Sequence, residues 1–302
     1  MQILIIGYGS IGRRHEEVLS TFSNVESIHI VTKQTLANKI TFPTLDAVKS
    51  LDRYDYIIIA SETYKHFEQL TYLESHTRQK LIFCEKPLFE TGKILHILNN
   101  TVFVGYVLRF HPLLQKMRAL LLDEKVLSVN IYCGQYLPTW RQNVDYKTSY
   151  SSKRSEGGGV LLDLSHEIDY AQWLFGEMSD IKSYQLKISD LEIDSDDIVT
   201  LISKTKKGVV LSLSIDYISK ITRRQMTIHT IEHTYELDFI NNSLMQKDKA
   251  GLEKRYEFES LERNSMFKEM HQSILCNATL ACTYTEAQDV MKTITIIQEQ
   301  NR

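Results

Sequence analysis

Two clusters of glycine mark places where the backbone of this chain could bind a ligand directly. Only 12 of the 302 residues are glycine, yet three lie within residues 7–12 and three more are residues 157–159. The first cluster has the spacing GxGxxG, follows an apolar run and precedes an amphipathic stretch. This context predicts a strand, a tight turn and a helix whose N-terminus binds the pyrophosphate of a dinucleotide. The expected cofactor contacts here are Gly7, Gly9, Ser10, Ile11 and Gly12.

The residues after the second apolar run bear on which dinucleotide binds. An Asp or Glu about 20 residues beyond the glycine motif normally holds the ribose hydroxyls of NAD. Here residues 28–31 are followed by Thr32 and Lys33, with no carboxylate. A hydroxyl beside a cation suits a 2′-phosphate, so we expect NADP to be favoured over NAD, with Thr32 and Lys33 as contacts. The alternative is that Lys33 is a solvated loop residue and that the site accepts both cofactors.

A lysine stands where another buried run ends. Residues 81–84 are followed by Glu85-Lys86-Pro87. A side chain at the carboxyl end of a parallel strand points into the crevice where such sheets bind ligands, and the proline fixes the backbone beside it. A lysine at a strand end is more often a surface charge, so this position alone is weak evidence. Lys86 is a candidate catalytic residue, and Glu85 and Lys86 are candidate cofactor contacts.

The second glycine cluster precedes Asp163, His166 and Asp169. On one continuous helix these residues would spread over one side. An imidazole flanked by carboxylates suits proton transfer near neutral pH, because a carboxylate orients the ring and stabilises its charged form. A surface ion pair is the alternative interpretation. We expect no metal, because three ligands at this spacing on one helix converge poorly.

A basic, aromatic loop, residues 140–155, comes just before this segment. It has four cations against one carboxylate, and three aromatic residues. Such a loop could hold a phosphate or carboxylate and stack on a base or sugar ring. Trp140, Arg141 and Tyr146 are therefore candidate substrate contacts, and a solvated interdomain loop is the competing interpretation.

Apolar periodicity divides the chain into two halves. Apolar runs at residues 3–6, 28–31, 56–60, 81–84 and 102–104 alternate with spacers long enough for crossover helices, which is typical of buried parallel strands. Residues 127–133, 211–217 and 231–239 instead alternate apolar and polar side chains, which predicts antiparallel strands with one buried face. A last helix is expected over residues 286–299. We predict an α/β protein with a dinucleotide-binding domain of residues 1–110 and an α+β domain of residues 111–302.

Composition excludes several classes of protein. Apolar residues make up 43% and charged residues 24% of the chain, as in ordinary globular proteins. The formal charge of −3 is spread without long blocks, so we expect no nucleic-acid partner and no membrane patch. The cysteines lack the spacing of metal or redox sites, and the N-terminus lacks a signal-peptide pattern. We therefore expect reduced thiols and a cytoplasmic location.

In their order along the chain, these motifs resemble the glucose–fructose oxidoreductase / inositol dehydrogenase family, also called Gfo/Idh/MocA. The resemblance covers nearly the whole length. It is carried by the glycine motif, Glu85-Lys86-Pro87, the segment from Gly105-Tyr106 through Arg109-Phe110-His111-Pro112, residues 157–176 and the last helix. It implies a Rossmann domain followed by a domain with an open, mainly antiparallel sheet, with the nicotinamide between them. The implied reaction is hydride transfer between nicotinamide and a sugar carbon.

The resemblance also implies roles for individual residues. Lys86 would hold and polarise the substrate, Asp163 and His166 would serve proton transfer, and Arg109 would add a substrate contact. Many members space the Asp and His four residues apart, whereas Asp163 and His166 are three apart. His166 is therefore the expected proton carrier, while Asp163 orients it, contacts substrate or only packs.

The same resemblance suggests a substrate class and an assembly. Residues 157–169 look like those of members associated with bacterial surface-glycan pathways, which suggests an activated or acidic sugar such as a nucleotide-linked one. Family habit and the polar-faced sheet suggest a homodimer or homotetramer. The alternative function is a non-catalytic dinucleotide sensor, which would bind cofactor without turnover; the presence of both Lys86 and His166 weighs against it.

Overall fold

The computed structural model describes residues 1–141, 144–259 and 261–301. They form two compact units: Met1–Phe110 with Glu262–Met291, and His111–Leu261 with Lys292–Arg302. This division differs from the continuous second domain expected from sequence, because Glu262–Met291 groups with the first unit. The physical reason is apolar packing, since Phe267, Met270 and Ile274 are buried in the same cluster as Ile3 and Ile5.

A parallel sheet forms the centre of the first unit. Its strand order within the described residues is β15-β6-β5-β4-β1-β2-β3, and only β15 runs antiparallel to its neighbour. The strands are β1 Gln2–Ile6, β2 Ser27–Val31, β3 Thr41–Phe42, β4 Tyr56–Ile59, β5 Leu81–Cys84, β6 Thr101–Val104 and β15 Cys282–Thr283. The strand order reverses between β1 and β4, which confirms the predicted Rossmann-type sheet and creates a crevice at the carboxyl ends of these strands.

The helices of the first unit depart from the expectation in one place. Helices α1 Ser10–Leu19 and α2 Thr63–His76 follow β1 and β4, and α7 Ser265–Cys276 lies in the later segment. No helix forms in residues 85–100, although a crossover helix was expected there. The Glu74 carboxylate instead accepts the backbone N–H groups of Leu98 and Asn99, at 2.7 and 2.6 Å. These bonds satisfy backbone N–H groups that a helix would otherwise pair with its own carbonyl oxygens.

The second unit contains an open sheet with the order β14-β13-β12-β11-β7-β10-β9-β8 in the described residues. The pairs are antiparallel except β7 with β10, so the predicted mainly antiparallel sheet is confirmed. The strands are β7 Val126–Gly134, β8 Met178–Leu186, β9 Ile198–Thr205, β10 Val210–Asp216, β11 Arg223–Thr230, β12 His233–Asp238, β13 Ser243–Asp248 and β14 Glu253–Glu257. The helices are α3 Pro112–Leu120, α4 Leu137–Trp140, α5 Val160–Asp163 and α6 His166–Phe175. Helix α8, Tyr284–Gln300, includes the predicted last helix.

The two faces of this sheet differ in exposure. Val129, Ile131 and Leu213 on one face are buried, whereas Tyr184, Ile202 and Val210 on the other are 72%, 59% and 59% exposed. Leu127 was expected to face inward but is also exposed. The register between β7 and β11 shifts at His229/Thr230 and leaves Leu127 outside the pairing. Among the described residues, we find no helix with the length and apolar character needed to cross a membrane.

Candidate active site

A glycine turn joins β1 to α1 at the carboxyl edge of the first sheet. Gly7 has a φ of +94°, and a Cβ there would lie 2.6 Å from backbone atoms of Ser61. A Cβ on Gly12 would lie 2.3 Å from the Gly7 carbonyl oxygen. These two glycines therefore allow β1, the turn and α1 to pack closely, as the sequence motif predicts.

Gly9 has different surroundings from the other two glycines. A Cβ at Gly9 would meet nothing within 4 Å, so the chain itself does not require glycine here. Gly9 is the N-cap of α1, with no side-chain cap and no acidic residue in the first turn. Gly9 and Ser10 are exposed, and the first N–H groups of a helix favour an anion. The geometry fits the pyrophosphate of a dinucleotide, held by the backbone of Gly9, Ser10, Ile11 and Gly12.

The end of β2 lies beside this turn. The Gln34 side chain donates to the Tyr8 carbonyl oxygen at 3.0 Å and accepts from Arg13 at 2.9 Å. Thr32 Oγ1 accepts the Gln34 N–H at 3.2 Å, and Lys33 is exposed. The structure thus brings Thr32, Lys33 and the cation Arg13 to the same edge as the glycine turn.

The Glu85-Lys86 pair directly follows β5 at this carboxyl edge. Glu85 is 8% exposed, and its N–H donates to the Ile59 carbonyl oxygen at 2.8 Å. Gly105 makes room for its carboxylate, because a Cβ on Gly105 would lie 3.0 Å from Glu85 Cδ. The Lys86 N–H donates to Glu85 Oε2 at 3.2 Å, and Lys86 itself is partly buried. The backbone around Lys86 is therefore held by its neighbours.

In the second unit, the segment expected to form one helix is divided into two. Helix α5 ends at Asp163, Leu164 leaves helical geometry with φ −100° and ψ 28°, and α6 begins at His166. Gly159 has a φ of +116° and approaches Asp196, which accepts the Leu161 N–H at 2.9 Å. Residues 160–165 are all buried, so this short helix is enclosed instead of amphipathic. The expectation that Asp163, His166 and Asp169 share one side of a continuous helix was wrong.

Asp163 is committed to hydrogen bonds inside the second unit. It is 4% exposed, and Oδ2 accepts from Ser151 Oγ and from the Tyr217 hydroxyl, both at 2.6 Å. Burial and the nearby Asp163 charge raise the pKa of Tyr217 well above its ordinary value, so this hydroxyl stays a donor. This geometry favours the interpretation in which Asp163 positions the preceding loop.

His166 is partly exposed and stands at the start of α6. The next residue, Glu167, is fully buried and accepts two bonds from Arg224 of β11, at 2.6 and 3.1 Å. Burial lowers the pKa of Arg224, but the attraction of Glu167 outweighs this effect and the pKa lies above its ordinary value. This bidentate pair fixes the first turn of α6 against the sheet, and so fixes the backbone of His166.

The basic loop lines a small pocket in the second unit. Trp140, Arg141, Tyr146, Ser151 and neighbours border this pocket. The Arg141 guanidinium lies 5.1 Å from the centre of the Tyr150 ring. Ser151 connects this pocket to Asp163 by the bond given above. The structure therefore brings Trp140, Arg141 and Tyr146 together, with Asp163 behind Ser151. Residues 142 and 143 of the same loop lie outside the described residues.

Arg109 has surroundings that differ from those of a ligand contact. It is 2% exposed, and its guanidinium pairs with Glu286 at 2.9 Å. We therefore propose a structural role for Arg109. Within the described ranges, no three His, Cys, Asp or Glu side chains are grouped to hold a metal ion.

Sequence reasoning missed the partners that hold these residues. Ser151, Tyr217 and Asp196 anchor the segment around Asp163, and no local pattern connects them with it. His15 carried a detectable signal, because it is a polar residue on the apolar face of α1. In the structure it is fully buried and bonded to Glu85 at 2.9 Å.

Comparisons with known proteins bear on both units. Residues 1–100 match the model of an oxidoreductase family with an NAD-binding Rossmann fold. Residues 115–236 match the GFO/IDH/MocA C-terminal domain.

Two relatives of known function are similar over part of the chain. The 2,7-anhydro-N-acetylneuraminate hydratase of Escherichia coli is 27% identical over 146 residues, 46% of this chain but only 38% of that protein. The glucose-6-phosphate 3-dehydrogenase of Bacillus subtilis is 22% identical over 264 residues, which cover 79% of this chain and 74% of the relative.

Solved structures show the same fold over the whole length. Levoglucosan dehydrogenase in complex with NADH and levoglucosan has a TM-score of 0.83 at 17% identity, covering 99% of this chain and 96% of that one. The UDP-N-acetylglucosamine 3-dehydrogenase GnnA of Acidithiobacillus ferrooxidans has a TM-score of 0.76 at 17% identity, covering 100% and 97%. With both domain models matched in order, this chain belongs to the Gfo/Idh/MocA family of oxidoreductases.

Proposed function

We propose that this protein is an NAD(P)-dependent oxidoreductase that acts on a CH–OH group of a sugar or sugar derivative. The start of α1 supports this proposal most directly. Its N-cap, Gly9, is exposed and has no side-chain cap, and the open space there fits a dinucleotide pyrophosphate. The similar proteins with sugar dehydrogenase names supply the substrate class. Lys86 beside this edge provides a cation for the reacting oxygen.

The roles of the chain's own residues follow from their chemistry. When bound, the nicotinamide would supply the hydride chemistry, as the acceptor in oxidation or as the donor in reduction. In the oxidative direction, we assign Lys86 to the reacting hydroxyl oxygen, where its ammonium stabilises developing negative charge. We assign the imidazole of His166 to accept the hydroxyl proton while the carbon loses hydride. Asp163 is a positioning residue for the loop that carries Trp140, Arg141 and Tyr146.

The test of this function is turnover in the presence of cofactor. Purified protein is assayed with NADPH or NADP and a panel of neutral, phosphorylated, acidic and nucleotide-linked sugars. Lys86→Ala is expected to lower kcat by roughly 1,000-fold, because a charge at the reacting oxygen is lost. Cofactor affinity should stay close to that of the wild type. Cofactor binding without turnover on any sugar would instead favour the non-catalytic sensor, and equal loss of cofactor binding would assign Lys86 to the dinucleotide.

We propose that NADP is preferred over NAD. Thr32 and exposed Lys33 follow β2, and no carboxylate stands beside them in the sequence. Gln34 links Arg13 to this group, because it accepts from Arg13 and its N–H donates to Thr32. A 2′-phosphate would gain charge-assisted hydrogen bonds from this group. The test is a titration with NADPH and with NADH, read by energy transfer from Trp140 and Trp173. Lys33→Ala should weaken NADPH binding about tenfold and leave NADH binding unchanged; tighter binding of NADH by the wild type would contradict the preference.

The substrate is proposed to be acidic or activated, for example nucleotide-linked. The pocket with Trp140 and Arg141 offers an aromatic ring and a cation, which suit a base or a phosphate.

We also propose that the exposed face of the second sheet pairs with a second copy of the chain. The scattered cysteines support a cytoplasmic location.

A further inference from the structure

Four buried side chains of the first unit form a continuous line of hydrogen bonds. The Tyr56 hydroxyl lies 2.9 Å from His271 Nδ1, and His271 Nε2 lies 2.9 Å from His15 Nδ1. His15 Nε2 in turn lies 2.9 Å from Glu85 Oε1. The line therefore begins on β4 of the parallel sheet and ends at Glu85, the residue before Lys86.

The groups of this line are shielded from water, so water cannot easily take the place of a lost hydrogen-bond partner. Tyr56, His15 and His271 are each 0% exposed. The His15 ring packs edge-on against Phe83 and Phe267, with centroids 5.0 and 5.6 Å apart. A polar group left unpaired in such an apolar place costs about 1–3 kcal/mol. Each of the three bonds is therefore needed by both of its partners.

Only one direction of donation satisfies every group of the line. A neutral imidazole has one N–H donor and one acceptor nitrogen. If the Glu85 carboxylate accepts, His15 donates from Nε2 and must accept at Nδ1. His271 then donates from Nε2 and accepts at Nδ1 from the Tyr56 hydroxyl. Burial, with a smaller contribution from His15, lowers the pKa of His271 well below its ordinary value, in agreement with a neutral ring.

The opposite direction leaves one group without a partner. It requires a protonated Glu85 that donates to His15, and it makes the Tyr56 oxygen an acceptor. The Tyr56 proton would then need a further acceptor, and the described part of the chain offers none to this hydroxyl. A protonated Glu85 would also remove a negative charge next to the backbone N–H of Lys86, which donates to Glu85 Oε2 at 3.2 Å.

We propose that Tyr56, His271 and His15 form a one-way hydrogen-bond line that orients the Glu85 carboxylate and, through it, the Lys86 segment, with His271 of α7 as a distant positioning residue for catalysis. This inference rests on the catalytic role proposed for Lys86. It assigns Glu85 to the support of Lys86 in place of direct cofactor contact. Gly105 agrees with it, because its missing Cβ leaves the space that the carboxylate occupies.

The direction of donation can be measured without any turnover. In protein labelled with ¹⁵N-histidine, ring ¹⁵N shifts distinguish the Nε2–H from the Nδ1–H tautomer. The resonances of His15 and His271 are assigned from spectra of single variants at those positions. We expect both rings to be neutral Nε2–H tautomers near pH 7.5. An Nδ1–H tautomer or a charged ring at either position would overturn the proposed direction.

The positioning role is tested with two substitutions of the same residue. His271→Leu removes the donor to His15, and His271→Gln returns an amide N–H near the Nε2 position. We expect His271→Leu to lower kcat about tenfold, with substrate KM and cofactor Kd within about twofold, because one orienting bond is lost. His271→Gln should recover most of kcat. Met270→Leu is the matched control, since Met270 is buried on the same helix and belongs to the apolar cluster.

The outcomes separate this inference from the proposed function. Equal kcat in His271→Leu and the wild type would overturn the positioning role while leaving the oxidoreductase function intact. A kcat loss of similar size in both His271 variants and in Met270→Leu would also overturn it, because packing alone would then explain the loss. Absence of turnover in the wild type would refute the proposed function. The measured tautomers would still show whether the proposed direction of hydrogen-bond donation is correct.

Discussion

Gly9 and Gly12 lie three residues apart in one turn, yet a methyl group meets opposite surroundings at the two positions. At Gly9 it enters open space, and the φ of −77° suits any residue. At Gly12 it would lie 2.3 Å from a backbone oxygen. The fold therefore requires glycine at position 12, whereas at position 9 only the proposed dinucleotide would require it.

This difference predicts separable effects of two alanine substitutions. Gly9→Ala should change the free energy of unfolding by less than about 0.5 kcal/mol, as for an exposed site. It should weaken dinucleotide binding about tenfold or more, because the methyl group occupies the space of the pyrophosphate. Gly12→Ala should lower the free energy of unfolding by about 3 kcal/mol through overpacking. Urea unfolding and cofactor titration measure the two effects, and unchanged cofactor affinity in Gly9→Ala would refute the assigned site.

The sequence predicted the turn between β1 and α1 correctly because its requirement for glycine at positions 7 and 12 is local. The turn, the strand before it and the helix after it occupy adjacent residues, so their spacing carries the information. The partners of Asp163 and Glu85 come from other segments of the chain: Ser151 and Tyr217 bond to Asp163, and His15 of α1 bonds to Glu85. No spacing within one segment encodes such pairings, so Ser151, Tyr217 and His271 could not be assigned in advance.

Among the helices, α3 has an N-cap with a titratable side chain. His111 is buried and accepts the Leu113 N–H at Nδ1, at 3.2 Å. Burial, together with the charge of Arg224, lowers the pKa of His111 to about 4 from an ordinary value of 6.5. Protonation would also destroy the acceptor that caps the helix.

The lowered pKa makes the stability of the protein depend on pH. Between pH 6.5 and 4 the unfolded state binds a proton at His111 that the folded state does not, so stability falls as pH falls through this range. The full stabilisation is present above the ordinary pKa. His111→Asn keeps a cap acceptor without titrating, so it should lose about 2 kcal/mol less than the wild type between pH 7 and 5. Urea unfolding at both values checks this, and parallel losses would contradict it.

Helices α5 and α6 lie where the sequence pattern favoured one helix. Periodicity predicted one helix, since the apolar residues of 160–170 allow a continuous pattern. The structure divides it because Asp163 bonds to Ser151 and Tyr217 while Glu167 bonds to Arg224. These tertiary bonds fix the two segments separately, and helical preference is too weak to oppose them.

The exposed face of the second sheet is the interface that we propose between copies of the chain. Tyr184, Ile202 and Val210 lie on adjacent strands β8, β9 and β10 and are largely exposed. Their cross-strand neighbours on this face are polar, and exposed apolar side chains set among polar ones suit an interface between two copies of a chain. We expect Ile202→Glu to convert a dimer into monomers in sedimentation equilibrium, without a change in cofactor affinity. Leu122→Glu, at an exposed position outside the sheet, should leave the assembly intact; a monomeric wild type would refute the proposed pairing.

The order in which this chain is synthesised has a consequence for how it must fold. The first unit consists of two pieces with residues 111–261 between them, and its later piece supplies Phe267, Met270 and His271. A nascent chain that has reached residue 261 therefore still exposes the apolar surface that these residues will cover. The cofactor-binding unit is completed last although its glycine turn is made first, and until that moment the growing chain depends on protection from aggregation.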